Sequence, residues 1–316
     1  MAGRVTLQHR VEYAAFRAAL VVLRLLPERW ALGLGGALGW LAGAVLRVRR
    51  DVADENLARA FPDRDRAWRD RVALASYRNL GREGVASFLF SEDSAVRVME
   101  RTPDPAGGER LLAALAAGRG AVLITGHFGN WEMAGAAAAA RGVALDAVAV
   151  RQGNRLIDDE LVRNRARLGI SIIRRGDAPI QVIRTLRAGR VAGLVADQDA
   201  RRGGVFVDFL GTPAATARGP ALFALRAEAP LFLGSCIAME GRPGRYLCEV
   251  EEITFDRTGH LDEDVRRLTA AHARALAQRV RRHPEHYFWQ HRRWRTAPPE
   301  RAETGPFEEP DEALEV

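Results

Sequence analysis

His127 and Glu132 stand five residues apart in the stretch GHFGNWE. An imidazole held by a carboxylate is what a general base needs to take a proton from a hydroxyl, an effect worth about 10²- to 10⁴-fold in rate. On one continuous helix, residues five apart diverge by about 140°. A turn brings them together, and Gly126 and Gly129 supply one. In that arrangement Glu132 holds the tautomer of His127 and stabilises the imidazolium.

The flanking residues say what positions the pair. Ala121 to Thr125 is a short apolar, branched run that reads as a buried strand, and Ala134 to Ala140 has very high helix propensity. Asn130 is a good N-cap for a helix starting at Trp131. Glu132 then falls in the first turn, where the helix dipole favours a carboxylate. Backbone N–H groups at that helix start are placed to stabilise an oxyanion. Downstream, strands are expected at Leu145 to Val150, Ile170 to Ile173 and Val191 to Ala196, with helices at Asn154 to Leu168 and Pro179 to Ala188 between them. This alternation predicts an α/β fold, a largely parallel central sheet flanked by helices, with functional residues at strand ends. Arg151 follows one strand directly, and Asp197 and Asp199 lie just past another. Two further strands, Pro230 to Ile237 and Tyr246 to Glu251, joined around Gly241 to Gly244, are expected to pair antiparallel at a sheet edge and make the sheet mixed.

Several chemistries are set aside by what is missing. Cys236 and Cys248 are the only cysteines, with no CxxC or Cys/His cluster, so no zinc site is expected and the two read as buried free thiols. Two aspartates are too few to cage a metal, and no cofactor is expected. There is no G-x-S-x-G nucleophile elbow. All 47 basic side chains are arginine and the formal charge is +7, which suits anionic lipid headgroups, phosphorylated glycolipids, an acidic carrier protein or nucleic acid.

Residues 1–50 read as membrane-associated. Arg10, Arg17 and Arg24 recur every seven residues along one face of an apolar helix, as in a helix lying at a bilayer surface. Trp30 to Leu46 runs without a charge for about 26 Å, slightly short of a hydrocarbon core of about 30 Å, and so either spans a thinned bilayer or lies half-buried. Gly35, Gly39 and Gly43 give it a small-residue ridge for another helix. A main domain over 51–298 follows, then an acidic, proline-bearing tail at 299–316 expected to be disordered.

From about Arg47 to Pro298 the chain resembles the lipid A biosynthesis acyltransferases, the lauroyl and myristoyl transferases. The resemblance rests on the His-x-x-x-x-Glu of GHFGNWE, on Arg165 four before Gly169, and on Asp197-x-Asp199 with its following G-x-x-V-x-F run. It rests also on His283-Pro284, Tyr287, Trp289, His291 and Arg293 near the end. It implies a glycerolipid-acyltransferase-like fold, with His127 and Glu132 activating an acceptor hydroxyl for attack on the thioester of an acyl carrier protein. Asn130, Arg151, Arg165 and Asp197 are then expected to bind substrate. The implied acceptor is a lipid A precursor, and the implied place is the cytoplasmic side of a bacterial inner membrane. Alternatives are the same chemistry on a phosphatidylinositol mannoside, whose enzymes tend to carry Asp at the Glu132 position, or a non-catalytic lipid-binding protein. The aromatic and arginine residues near the end reduce to a packed lid in the absence of any nucleic-acid-binding motif, so nucleic acid is not an expected partner.

Overall fold

The computed structural model describes residues 5–103 and 105–298. The tail at 299–316 lies outside the described residues. Four helices open the chain: α1 (Leu7–Leu25), α2 (Glu28–Ala44), α3 (Arg50–Ala60) and α4 (Arg66–Leu89). Two short ones, α5 (Ala95–Arg101) and α6 (Gly108–Ala116), lead into the alternating part. That part runs β1 (Ala121–Thr125), α7 (Trp131–Ala140), β2 (Leu145–Ala149), α8 (Arg155–Arg167), β3 (Ile170–Arg174), α9 (Ala178–Arg187) and β4 (Val191–Val195). A ribbon of β5 (Gly204–Phe209) and β6 (Thr212–Ala217) follows. Then come α10 (Gly219–Arg226), β7 (Leu231–Ala238), β8 (Tyr246–Glu252) and the long α11 (Leu261–Arg282).

The central sheet has the order β3-β2-β4-β1-β7-β8, parallel except for β8, which pairs antiparallel with β7 at the edge. It is the α/β sheet expected from the alternation. Its central strands are short apolar runs, buried on both faces, as parallel strands covered by helices must be. The register sets the site: Thr125 of β1 lies opposite Val195 of β4, so the two chains leave the sheet side by side at its carboxyl edge.

Two expectations change here. Cys236 and Cys248 are directly opposed on β7 and β8 and are joined as a disulfide, so neither is a free thiol. And among the described residues no helix is long and apolar enough to cross a membrane. The glycine ridge of α2 is spent inside the molecule instead. Gly39 sits against the backbone of α4, where a Cβ would overlap the Tyr77 carbonyl, and Gly35 sits over Gly81. Two of the three arginines spaced along α1 are likewise turned to the body of the protein, Arg17 to Glu160 at 3.4 Å and Arg24 to Glu92 at 2.9 Å. Beside exposed charges such as Arg10, Glu12 and Arg29, α1 and α2 leave large apolar side chains outward: Val11, Val21, Leu25, Trp30, Leu34 and Leu38 are all exposed.

Candidate active site

The link between β1 and α7 carries the imidazole. Gly129 adopts a positive φ of 61° and packs so closely on β7 that a Cβ would strike the Cys236 carbonyl, which instead accepts from Asn130 N at 2.7 Å. Asn130 then caps α7 as its residue type predicts, its side chain accepting from Met133 N at 2.8 Å.

His127 stands two residues past the Thr125–Val195 rung on one chain and Asp197 two residues past it on the other. Asp197 accepts twice from the same residue, from the His127 backbone N–H at 2.8 Å and from the ring at Nδ1 at 2.7 Å. The carboxylate is sealed, with 3% of its side chain exposed, while 23% of the imidazole is open. With Nδ1–H donating to Asp197, Nε2 carries the lone pair, and the Gln198 amide nitrogen sits 3.3 Å from it. Burial alone would push the imidazole down. The charge of Asp197 and its hydrogen bond outweigh that and hold His127 above its ordinary value. Asp197, which burial would raise, is held below the usual carboxylate range by His127 and by the charge of Arg293.

Glu132 therefore has a different partner from the one its spacing suggests. Its carboxylate is clamped by Arg165 from α8, with Nε–Oε2 at 2.9 Å and Nη2–Oε1 at 2.5 Å, a bidentate pair. His127, Glu132 and Arg165 all line one cleft of about 980 Å³. Asn130 does not line it. Its amide points away, donating at 2.8 Å to the buried Glu83, which also accepts from the Tyr246 hydroxyl at 2.8 Å. Arg151 is exposed beyond β2 and is not part of the cleft wall either.

The segment after α11 closes the site from behind. Gly129 N donates to His286 O at 2.8 Å and Phe288 N to His127 O at 3.0 Å, so the carbonyl of the imidazole's own residue is fixed by this strap. The strap is tied down by two asparagines from the helical lead-in: Asn79 donates to Glu285 O, and Asn56 to the carbonyls of Trp289 and His291. Tyr287, Trp289, Arg293 and Trp294 are buried, so the two tryptophans and the tyrosine are packed against the core rather than offered for base stacking. Phe209 of β5 lies beneath them, 5.8 Å from the Tyr287 ring and 6.0 Å from that of Trp294. Among the described residues no group of three or more His, Cys, Asp or Glu side chains could hold a metal ion.

Comparison with known proteins decides the family. The sequence model of the bacterial lipid A biosynthesis acyltransferases matches residues 3–296. The chain belongs to this acyltransferase family. It is 30% identical over 288 residues to the phosphatidylinositol mannoside acyltransferase of Mycobacterium tuberculosis, covering 89% of this chain and 87% of that one. The corresponding protein of Mycolicibacterium smegmatis is 32% identical over 246 residues, 75% of this chain and 78% of that one. The lipid A biosynthesis palmitoleoyltransferase of Escherichia coli is 26% identical over 271 residues, 84% of this chain and 85% of that one. The protein is thus an acyltransferase, and an acyltransferase takes an acyl donor and, in this family, a lipid acceptor.

Proposed function

We propose that this acyltransferase moves a fatty acyl chain from an acyl carrier protein thioester to a hydroxyl of a phosphorylated glycolipid, a lipid A precursor, with His127 as general base. The observation that carries the reading is the Nε2 lone pair of His127 on the wall of the cleft, with Asp197 sealed behind Nδ1. A hydroxyl entering beside Nε2 takes the place of the Gln198 amide and gives up its proton as its oxygen attacks the thioester carbonyl. The imidazolium so formed is paired with Asp197, and the thiolate leaves with that proton. The N–H groups of Trp131 and Glu132, first-turn donors with no intrahelical acceptor, suit the oxyanion of the tetrahedral intermediate. Glu132 in this scheme orients Arg165 toward substrate rather than orienting His127.

The substrate class follows from charge. Arg49, Arg175, Arg201, Arg292 and Arg295 line the same cleft, and guanidinium groups recognise phosphate. The outward apolar faces of α1 and α2 suit a protein lying in the surface of a membrane, here the cytoplasmic face of the inner membrane, where both an acyl carrier protein and a lipid would meet it. A second acceptor, a phosphatidylinositol mannoside, is favoured by the 30–32% identity to enzymes named for it, against 26% to the lipid A enzyme.

The test is to incubate the protein with acyl carrier protein thioesters of several chain lengths and either a tetraacylated lipid A precursor or a phosphatidylinositol mannoside, and to follow acceptor mass. One added acyl chain on the lipid A precursor, absent with His127→Ala, is the expected result. Addition to the mannoside alone transfers the proposal to the second acceptor, and a His127→Ala protein as active as the wild type overturns the base.

A further inference from the structure

Five residues other than glycine have a left-handed backbone among the described residues, and two of them, Arg49 at φ 52° and Arg201 at φ 55°, line the cleft. That conformation disfavours any residue with a Cβ, and glycine is the usual occupant. Leu210 and Glu228 meet local demands, the two-residue turn between β5 and β6 and the end of α10. Arg49 and Arg201 do not. Arg49 is the N-cap of α3, where Ser, Thr, Asp or Asn is favoured, and its side chain makes no capping bond. Gly203 and Gly204 follow Arg201 closely, yet neither of them is left-handed. The surroundings impose both conformations. The Val48 carbonyl accepts from the Tyr77 hydroxyl, and Arg50 is pinned to Asp54 at 2.7 Å and to Asp70 at 2.5 Å. Ala200 N donates to Ala215 O at 3.1 Å, and Gly204 opens the β5–β6 ladder opposite Ala217. Both guanidinium groups are exposed, and neither is in an ion pair with another described residue. The two acids of the cleft wall are engaged elsewhere, Glu132 by Arg165 at 2.5 Å and Asp199 by the Thr296 hydroxyl at 2.9 Å.

We propose that Arg49 and Arg201 are specificity-determining residues: each grips phosphate oxygens of a substrate, and the fold keeps arginine in a strained left-handed position for that grip. Strain of this kind persists where the surrounding structure over-determines it and the side chain has a task. A merely solvated arginine needs no such seat. Arg202 is the comparison within the same loop: it has the same charge and is exposed, but its backbone is ordinary and it is off the cleft wall. The phosphate has two sources, the phosphoryl groups of the glycolipid acceptor and the phosphodiester in the arm of the carrier thioester. Both offer the same chemistry, a compact anion whose oxygens match a guanidinium fork. Assignment to a substrate rests on the proposed acyl transfer; the anion site and its cost in stability do not.

The experiment makes Arg49→Gly, Arg201→Gly and Arg202→Gly in the full-length chain and reads the melting temperature with and without inorganic pyrophosphate, then KM for each substrate. Glycine relieves a left-handed position and loosens an ordinary one. Arg49→Gly and Arg201→Gly are therefore expected to melt at or above the wild-type temperature, and Arg202→Gly below it. Pyrophosphate should stabilise the wild type and Arg202→Gly, and the two cleft variants less. KM for one substrate should rise about tenfold in Arg49→Gly and Arg201→Gly with kcat held, and stay unchanged in Arg202→Gly. A rise for the acceptor assigns the phosphate to the lipid; a rise for the donor assigns it to the carrier's arm. Melting below the wild type in both cleft variants overturns the proposal, as does a pyrophosphate effect that is absent or equal in all four proteins. Unchanged KM values for both substrates overturn it too. If the wild type transfers to neither acceptor, the proposed reaction fails, and the melting and pyrophosphate measurements still decide the anion site.

Discussion

His127 and Asp197 lie equally far beyond one rung of the sheet, two residues past Thr125 and two past Val195, and the parallel register delivers the imidazole onto the carboxylate. The pairing is thus a property of the sheet rather than of a loop. It fixes both ends of Asp197, one oxygen on the backbone N–H of residue 127 and the other on Nδ1. Asp197→Asn presents either an amide N–H or a carbonyl to Nδ1 and removes the charge that holds the imidazole above 6.5. Transfer is expected to fall about 10²- to 10⁴-fold.

The pH dependence carries a sign. A base with its midpoint raised above 6.5 is silent at acid pH and gains activity as pH rises through that midpoint. In Asp197→Asn, burial acts unopposed and the acid limb should move below 6.5 even as the plateau drops. The initial rate measured from pH 5 to 9 checks both. A limb that stays above 6.5 in the variant would mean that Asp197 does not set it.

Much of this was legible in the residues. The helix starting at Trp131 under an Asn130 cap, the three strands that follow and the edge hairpin are where periodicity, glycines and capping chemistry put them, because those signals are local. The partner of His127 was not, because spacing along the chain favoured Glu132, five residues away, over Asp197, seventy away. The equal offset of His127 and Asp197 past their strands was the signal that could have found it, once β1 and β4 were taken as neighbours. The disulfide was legible in the same way: Cys236 and Cys248 are placed symmetrically about Arg242, in the turn of the hairpin, so antiparallel pairing makes them face one another.

Glu132 and Arg165 act as one unit. The fork of Arg165 meets both carboxylate oxygens, and the two side chains are only 20% and 21% exposed. Loss of either partner strands the other, so Glu132→Gln, Arg165→Met and the double variant should lose similar amounts of transfer rather than multiply. Arg165→Lys should recover little, since an ammonium cannot match two oxygens in the fork geometry. Single and double values of kcat/KM test this, and multiplicative losses would separate the two residues.

The outward apolar residues of α1 and α2 make a membrane prediction that does not depend on chemistry. Trp30, Leu34 and Leu38 are exposed on a helix that is not long and apolar enough to span. Changing all three to serine should release the protein from vesicles of anionic lipid in a sedimentation assay while leaving its melting temperature close to that of the wild type. Retention on vesicles would place the membrane contact elsewhere.

Close approach of α2 to α4 separates two glycines of the same helix. Gly39→Ala puts a methyl group into the Tyr77 carbonyl and should destabilise by about 1–3 kcal/mol. Gly33→Ala meets nothing within 4 Å and should stabilise by up to about 1 kcal/mol through helix propensity alone. Chemical unfolding of both variants decides whether the ridge serves packing within the chain. Equal effects would say that it does not.

Glu83 lies behind α7 and accepts from its N-cap residue, Asn130. Burial raises its carboxyl above 4.5, against the opposing hydrogen bonds from Tyr246 and Asn130, and Oε1 is buried with no donor to support a charge. The folded protein therefore keeps a proton there that the unfolded chain releases. Stability from this group is fully present below pH 4.5 and is lost as pH rises through the folded midpoint. Glu83→Gln keeps an oxygen for Tyr246 or Asn130 and cannot ionise, so its melting temperature relative to wild type should improve from pH 5 to pH 8. A variant that is worse than wild type by the same amount at both pH values would show that the site holds Glu83 for its hydrogen bonds alone, with no titration between them. A deficit that grows with pH would show that the carboxylate itself is what Asn130 and the start of α7 require.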